Sequence, residues 1–345
     1  MMPSRLTTRV VVGEAPDSGR LAPRAVGSVV GIRLNGAMPA LRLVVAGSPA
    51  AAVPTLASLA ESEHDVVRVI TRPASLQGRK RVLTPTPVAD EAARRGLTVL
   101  EARRLGEIES ELLPLDIDLG VIVAYGALVR EPLLSWPRLG WINLHFSLLP
   151  RWRGAAPVQH AVIAGDAQTG ATVFQLTEGL DEGDWYARLT TPIGAHRTAG
   201  SLLDELSDSG AALVRTVVDQ LASGTAVARP QEGAVTLAPK LSRDDALLRW
   251  ADSAEQVHHR LRGVTPEPGA FTHADGLVVK VLDAVIARDA APLSPGHLRR
   301  ESSRLLVGTA TDPLELLRVQ PAGKQAMAAI DWARGLPADR LPVFA

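Results

Sequence analysis

The chain has 345 residues, of which 46% are hydrophobic and 21% charged, a composition that suits packed globular domains and, by length, roughly two of them. It contains no cysteine, which excludes disulfides, thiolate metal sites and a cysteine nucleophile. No apolar stretch approaches the ~18 residues of a membrane span, and no signal-peptide core follows the first arginines, so we expect a cytoplasmic protein without a membrane partner.

The formal net charge is zero, which by itself argues against a nucleic-acid partner. The distribution of charge is less even, because nine basic residues lie between Arg68 and Arg104 against only Asp90, Glu91 and Glu101. Such a cluster is either a solvated loop and helix face or a contact for phosphates.

Residues 1–37 are rich in Gly, Pro, Ser and Arg without a sustained period, which predicts a disordered extension or an overlong start with Met38 as the true first residue. Beyond it, strand and helix patterns alternate. We predict strands at 41–46, 65–71, 97–100, 120–125, 141–145, 169–176 and 184–191, and helices up to 60 and at 88–95, 128–134, 157–164 and 199–221. This alternation predicts an α/β domain over residues 38–223 with a Rossmann-like, mostly parallel sheet.

Residues 224–240 contain two prolines and two glycines, a composition typical of a linker. The remaining segment, residues 241–345, begins with a predicted helix at 253–263, for which Ser253 and Gln256 form a capping box. Short strand patterns follow at 277–286, 305–309 and 314–319. They predict a smaller β-rich domain.

Asn143 and His145 are two residues apart in a predicted strand, so their side chains lie on the same face of the pleat. Ligands of parallel α/β sheets bind outside the carboxyl ends of the strands, where this pair would lie. Asp181 adds a carboxylate, and the three groups together form a reaction centre that needs no metal and no covalent nucleophile. Taken singly, each has an ordinary explanation: a core histidine, a strand-end amide and a turn aspartate beside Gly183.

The ordered set of motifs resembles the folate-dependent formyltransferases. It consists of NLH at 143–145, SLLP at 147–150, RGAAP at 153–157 and LDEGD at 180–184, with RLVVAGSP at 42–49, VIVAYG at 121–126 and VQPAGKQAM at 319–327. The resemblance covers about residues 39–335. It implies a formyltransferase fold followed by an OB-like C-terminal domain that binds tRNA.

The resemblance also implies the roles of individual residues. Asn143, His145 and Asp181 would be catalytic. The folate contacts would be Val123, Tyr125, Gly126, Ser147, Leu148, Leu149 and Pro150. The tRNA contacts would be Arg79, Lys80 and Arg81 in the basic loop at 72–87, with Lys240 and Lys324 in the C-terminal half. Two residues depart from the usual pattern: Phe146, where many relatives carry a small residue, and Lys80, where the family typically has glycine.

The implied function is transfer of the formyl group of 10-formyltetrahydrofolate to the amino group of methionyl initiator tRNA by a monomer without a metal ion. A folate-dependent enzyme that formylates a small amine, such as an amino sugar or glycinamide ribonucleotide, would share the Asn, His and Asp residues. A catalytically silent RNA-binding homologue is a further alternative, against which the intact trio argues. A Rossmann oxidoreductase is disfavoured because the first strand ends in AGSPAAA rather than G-x-G-x-x-G.

Overall fold

The computed structural model describes residues 9–12, 39–78, 80–337 and 341–345. The strands up to residue 192 are β1 (Arg9–Val12), β2 (Arg42–Gly47), β3 (Asp65–Thr71), β4 (Ser75–Gln77), β5 (Val82–Thr84), β6 (Val99–Glu101), β7 (Leu119–Val123), β8 (Trp141–His145), β9 (Arg153–Gly154), β10 (Gln168–Gln175) and β11 (Trp185–Pro192). The helices of the same part are α1 (Val53–Ala60), α2 (Pro87–Arg94), α3 (Glu109–Leu112), α4 (Pro157–Ile163) and α5 (Ala199–Ser223).

Eight of these strands form one sheet in the order β1-β11-β10-β8-β7-β2-β3-β6. Five neighbouring strands run parallel to one another, namely β8, β7, β2, β3 and β6. Strands β10, β11 and β1 continue the sheet beyond β8, and each is antiparallel to its neighbour. Strands β2 and β7 are buried along nearly their whole length, as expected for Val- and Leu-rich strands covered on both faces. The prediction of a mostly parallel α/β sheet is therefore confirmed.

Two neighbouring strands end together at the carboxyl edge of this sheet. Strand β7 ends at Val123, where Ala124 takes a positive φ of 48° and turns the chain away. Strand β8 lies beside it, with Ile122 opposite Asn143 in the parallel register, and ends at His145. The polar side chains of β8 thus reach the edge at which ligands of parallel sheets bind.

The C-terminal part contains β12 (Leu237–Ala238), β13 (Phe271–Ala274), β14 (Leu277–Ile286), β15 (Leu298–Arg300), β16 (Leu305–Val307), β17 (Leu314–Pro321), β18 (Met327–Ala328), α6 (Ala254–Gly263) and α7 (Ala329–Arg334). Strands β13 to β18 form an antiparallel sheet around a core that includes Trp250, Trp332 and Phe344. Helix α6 begins with the expected capping box, because Ser253 Oγ accepts from Gln256 N at 3.2 Å and Gln256 Oε1 accepts from Ser253 N at 3.0 Å. A smaller, β-rich, OB-like domain is thereby confirmed.

Several local predictions differ from the structure. The predicted helix at 128–134 is wrong: residues 131–135 form turns, and Pro132 has no amide hydrogen with which to continue a helix. Part of the expected loop at 72–87 is a hairpin of β4 and β5. In the expected disordered extension, Arg9–Val12 instead pairs with β11 at the edge of the sheet, and the other residues of 1–37 lie outside the described part of the chain. None of the helices within the described residues has the length and apolar character needed to cross a bilayer.

Candidate active site

Two side chains of β8 and one from a loop more than thirty residues later meet at the carboxyl edge of the large sheet. Asn143 and His145 extend from β8, and Asp181 comes from the loop between β10 and β11. His145 Nδ1 lies 3.7 Å from Asp181 Oδ2, and the two residues are only 5% and 9% exposed. At this distance the carboxylate interacts with the charge of an imidazolium without a direct hydrogen bond. The structure therefore brings the three predicted catalytic residues together.

The ring of His145 is held in one orientation by the backbone of the following loop. Its Nε2 lies 2.8 Å from the carbonyl oxygen of Trp152. Since a carbonyl can only accept, Nε2 carries a hydrogen, and Nδ1 is the nitrogen that can gain or lose a proton. Phe174 packs edge-on against the ring, with the two centroids 6.5 Å apart. The exchangeable nitrogen thus faces Asp181.

Asp181 is fixed at its side chain and at its backbone. Its Oδ2 accepts a hydrogen bond of 2.8 Å from the amide of Gly154, and its carbonyl oxygen accepts one of 2.8 Å from Gln231 Nε2. The residue has a positive φ of 50°, a conformation that aspartate tolerates better than most residues. Neighbouring contacts therefore set both the position and the direction of this carboxylate.

Asn143 differs from these two residues because its Oδ1 has no partner. The atom is buried and accepts no hydrogen bond within the described part of the chain. Buried polar groups in proteins are nearly always paired, and a catalytic role is one of the reasons for which an exception persists.

A cavity of about 470 Å³ opens beside these residues. Asn143, His145 and Asp181 lie at its wall together with Tyr125 and Gly126, two of the predicted folate contacts. The rest of the lining is largely apolar and includes Ile122, Ala124, Ala127, Leu128, Val129, Phe146, Pro157, Leu176 and Leu180. Mostly apolar walls with a few convergent polar groups are typical of sites for ring-containing ligands.

The Tyr125–Gly126 wall is rigidly held. Tyr125 donates its hydroxyl hydrogen to Ala102 O at 2.7 Å, and burial raises the pKa of Tyr125 to about 12, so the phenol stays neutral. Arg72 donates to the carbonyl oxygens of both residues, with its Nε 3.2 Å from Tyr125 O.

The other predicted folate contacts do not line this cavity. Val123 is buried in the core beneath the sheet edge. Ser147 is fully buried and donates to Arg151 O at 2.6 Å, while Leu149 packs against Phe174 and Trp185. Leu148 and Pro150 are likewise absent from the lining. Their side chains support the loop that follows β8, and Phe146 is the residue of this loop that reaches both the cavity and the core.

The predicted tRNA contacts lie on separate elements. Lys80 and Arg81 are exposed in the turn of the β4–β5 hairpin, while Arg79 lies outside the described residues. Lys240 is exposed after β12, and Lys324 is exposed in the turn between β17 and β18. All four described side chains face solvent. Among the described residues, no group of three His, Asp or Glu side chains is arranged to hold a metal ion.

Two important residues, Trp152 and Gln231, were not identified from the sequence. Trp152 supplies the carbonyl oxygen for His145, and Gln231 supplies the amide for Asp181. Both contacts end on backbone atoms, for which a sequence pattern carries no signal.

The sequence is similar to those of known proteins. The sequence profile of the formyl transferase family matches residues 41–218, and that of the formyl transferase C-terminal domain matches residues 240–337. The chain is 55% identical to the methionyl-tRNA formyltransferase of Clavibacter sepedonicus over 86% of its length and 97% of that protein. It is also 55% identical to the methionyl-tRNA formyltransferase of Leifsonia xyli subsp. xyli, with the same coverage of both chains.

A solved structure of similar fold is an N-formyltransferase from Helicobacter canadensis in complex with folinic acid and dTDP-3-aminofucose. Its TM-score is 0.61 at 16% identity, and the match covers 81% of this chain and 99% of that one. At this identity the likeness concerns the fold alone.

Proposed function

The chain belongs to the formyl transferase family, within its methionyl-tRNA formyltransferase branch, and we propose that it transfers the formyl group of 10-formyltetrahydrofolate to the amino group of methionyl initiator tRNA. The observation that carries the proposal is the meeting of Asn143, His145 and Asp181 at one wall of a largely apolar cavity. The names of relatives at about half identity over nearly the whole chain support tRNA as the acceptor.

The cavity suits a folate co-substrate. Its apolar residues, such as Ile122 and Leu128, can cover the faces of a pterin, while backbone groups near Tyr125 and Gly126 can bind its polar edge. When bound, the co-substrate supplies a formyl carbon attached to a nitrogen that can leave as an amine. We infer that this carbon lies next to Asn143.

In the reaction, the acceptor nitrogen forms a bond to the formyl carbon while the bond from that carbon to the folate nitrogen breaks. The attacking amine loses one proton, and the leaving nitrogen gains one. His145 Nδ1 can take the first proton and return it to the leaving nitrogen, because Nε2 is committed to Trp152 O. Asp181, 3.7 Å from Nδ1, stabilises the imidazolium that forms between these two events.

Asn143 acts on the formyl oxygen, where negative charge develops. Its amide NH₂ can donate a hydrogen bond to that oxygen, an interaction worth about 3 kcal/mol in comparable acyl-transfer sites. Its unpaired Oδ1 is free to accept from the incoming amine and so to orient it. The two ends of one side chain would thus hold both reactants.

We expect Asn143→Ala, His145→Ala and Asp181→Ala each to lower turnover by about 10²–10⁴, since each removes a donor, a proton carrier or a charge partner of the reaction. The measurement is transfer of labelled formyl from 10-formyltetrahydrofolate to methionyl initiator tRNA, with methionyl elongator tRNA and an amino sugar as control acceptors. His297→Ala, an exposed histidine outside the cavity, is the matched control variant. Wild-type turnover in all three variants would refute the mechanism, and preferential formylation of the amino sugar would refute the acceptor.

A further inference from the structure

The segment 231–238, which we call the linker brace, is part of the active site's support. Its strand β12 pairs in parallel with β9, which contains Gly154, the donor to the Asp181 carboxylate. Just before β12, Thr236 O accepts from Arg153 N and Thr236 Oγ1 accepts from Trp152 N, both at 2.9 Å. The brace therefore holds the residues that contact both His145 and Asp181.

Gln231 makes the most direct of these connections. Its Nε2 donates to Asp181 O at 2.8 Å and to Gly183 O at 2.9 Å. Its Oε1 accepts from Arg153 Nε at 3.2 Å and from Arg153 Nη2 at 2.7 Å. Because carbonyl groups only accept and a guanidinium only donates, the orientation of the amide is fixed by its partners. These partners require a side chain with two N–H donors on one terminal atom and an acceptor oxygen on the other. The glutamine amide provides both.

The contact matters because Asp181 holds a backbone conformation with φ of 50°. Gly183 is tightly enclosed as well, since an added Cβ would lie 1.7 Å from Gln175 O. Gln231 ties together the carbonyl groups on either side of Glu182 and so fixes the course of the loop that carries the carboxylate. Without this tie the loop is free to relax and to move the carboxylate away from His145 Nδ1.

We propose that Gln231 is a positioning residue for the reaction, one that acts through Asp181 by holding its loop against the linker brace. This rests on the proposed function, because it assigns Gln231 a part in formyl transfer. It also makes the geometry of the catalytic domain depend on the segment that leads into the C-terminal domain. Gln231 is absent from the lining of the cavity, so its effect reaches the chemistry through the carboxylate of Asp181.

Two variants test the proposal. Gln231→Glu keeps the shape and the acceptor for Arg153 but places a carboxylate against two carbonyl oxygens, and Gln231→Met removes both ends at similar volume. We expect kcat to fall by about tenfold to hundredfold in each, as for other misplacements of about 1 Å, with KM for both substrates nearly unchanged. Thr225→Val, in the same linker but bonded to Ser223 and Gln220, is the control expected to retain wild-type kinetics.

A double-mutant cycle separates positioning from loss of stability. In an Asp181→Asn background, measured in single turnovers with excess enzyme, Gln231→Met should lower the rate by less than about threefold, because residues that act as one unit are not additive. Full additivity, or a loss of activity that merely follows the melting temperature, would overturn the proposal. If instead the wild-type protein forms no formyl-methionyl-tRNA, the proposed function itself fails.

Discussion

At the scale of single residues, one glycine determines how β8, the strand that carries Asn143 and His145, packs against β7. Gly120 lies in the fully buried strand β7, and a Cβ added there would lie 2.1 Å from Cε3 of Trp141. Trp141 begins β8, is itself fully buried, and donates its Nε1 hydrogen to Leu133 O at 2.7 Å. The indole occupies the space that a side chain on β7 would need. The strand that carries Asn143 and His145 therefore depends on this residue having no side chain.

We predict that Gly120→Ala lowers the free energy of unfolding by about 1–3 kcal/mol, because the methyl group overpacks a site with no room for Trp141 to move. Gly106→Ala is the matched control: within the described part of the chain, no atom beyond its chain neighbours and its own helix backbone lies within 4 Å of an added Cβ, and we expect a change within about 0.5 kcal/mol. Chemical denaturation of both variants and the wild type gives the comparison. Equal midpoints for Gly120→Ala and the wild type would show that the core accommodates the methyl group.

The same scale shows what the sequence can and cannot predict about the site. The two-residue spacing of Asn143 and His145 predicts a shared face from strand geometry alone. Asp181 could be selected among the acidic residues only through the family resemblance, because its loop conformation is set by contacts with Gly154 and Gln231. No sequence pattern indicates a role for Gln231, since its partners at the loop are backbone carbonyl groups some fifty residues away in the chain.

At the scale of elements, we propose that the β4–β5 hairpin contacts the tRNA through the basic residues of its turn. Its strands are three residues each, and Leu76, Val82 and Leu83 are more than half exposed. The turn between them contains Gly78 and Arg81 with positive φ values of 67° and 50°. Sequence periodicity could not predict such a short hairpin, because its side chains do not alternate between a core and solvent.

We predict that Lys80→Ser combined with Arg81→Asn weakens the affinity for tRNA and lowers the slope of log K against log salt by about 0.7–0.9 for each phosphate that these side chains neutralise. Asparagine tolerates the positive φ at position 81, so the turn is expected to survive. Filter binding of initiator tRNA at several salt concentrations measures the slope. Arg138→Gln, which removes one charge beside Asp118 at the opposite edge of the sheet, is the control. An unchanged slope in the double variant would exclude these residues as phosphate ligands.

At the scale of the whole molecule, the sequence predicts two folded parts but not how they join. The prolines and glycines of segment 224–240 predict a linker, yet Leu237 and Ala238 pair with β9, and Gln231 holds the loop that carries Asp181. The C-terminal part makes a second contact with the α/β domain through α6, which packs on α4. Arg262 of α6 donates to Gly194 O and Arg197 O at 3.0 and 3.1 Å. Such contacts depend on tertiary packing, for which composition gives no signal.

This second contact includes a histidine that should make the stability of the protein depend on pH. Burial, with Arg262 and His259 nearby, lowers the pKa of His258 to about 4 from an ordinary value of about 6.5. Between these two pH values the unfolded chain binds a proton at this position and the folded chain does not. Stability contributed by the neutral ring is therefore fully present above about pH 6.5 and is lost as the pH falls toward 4.

We predict that the free energy of unfolding falls by roughly 2 kcal/mol between pH 6.5 and 4 on account of His258, a value reduced from the full shift to allow for solvent screening. His258→Gln has no group that titrates in this range and should show a flatter pH dependence, while the exposed variant His297→Gln should follow the wild type. Denaturant unfolding at half-unit pH steps measures the three curves. If His258→Gln and the wild type lose stability in parallel, the acid sensitivity arises elsewhere. If the two curves diverge below pH 6.5, protonation of His258 weakens the packing of α6, because it places a second cation beside the buried guanidinium of Arg262.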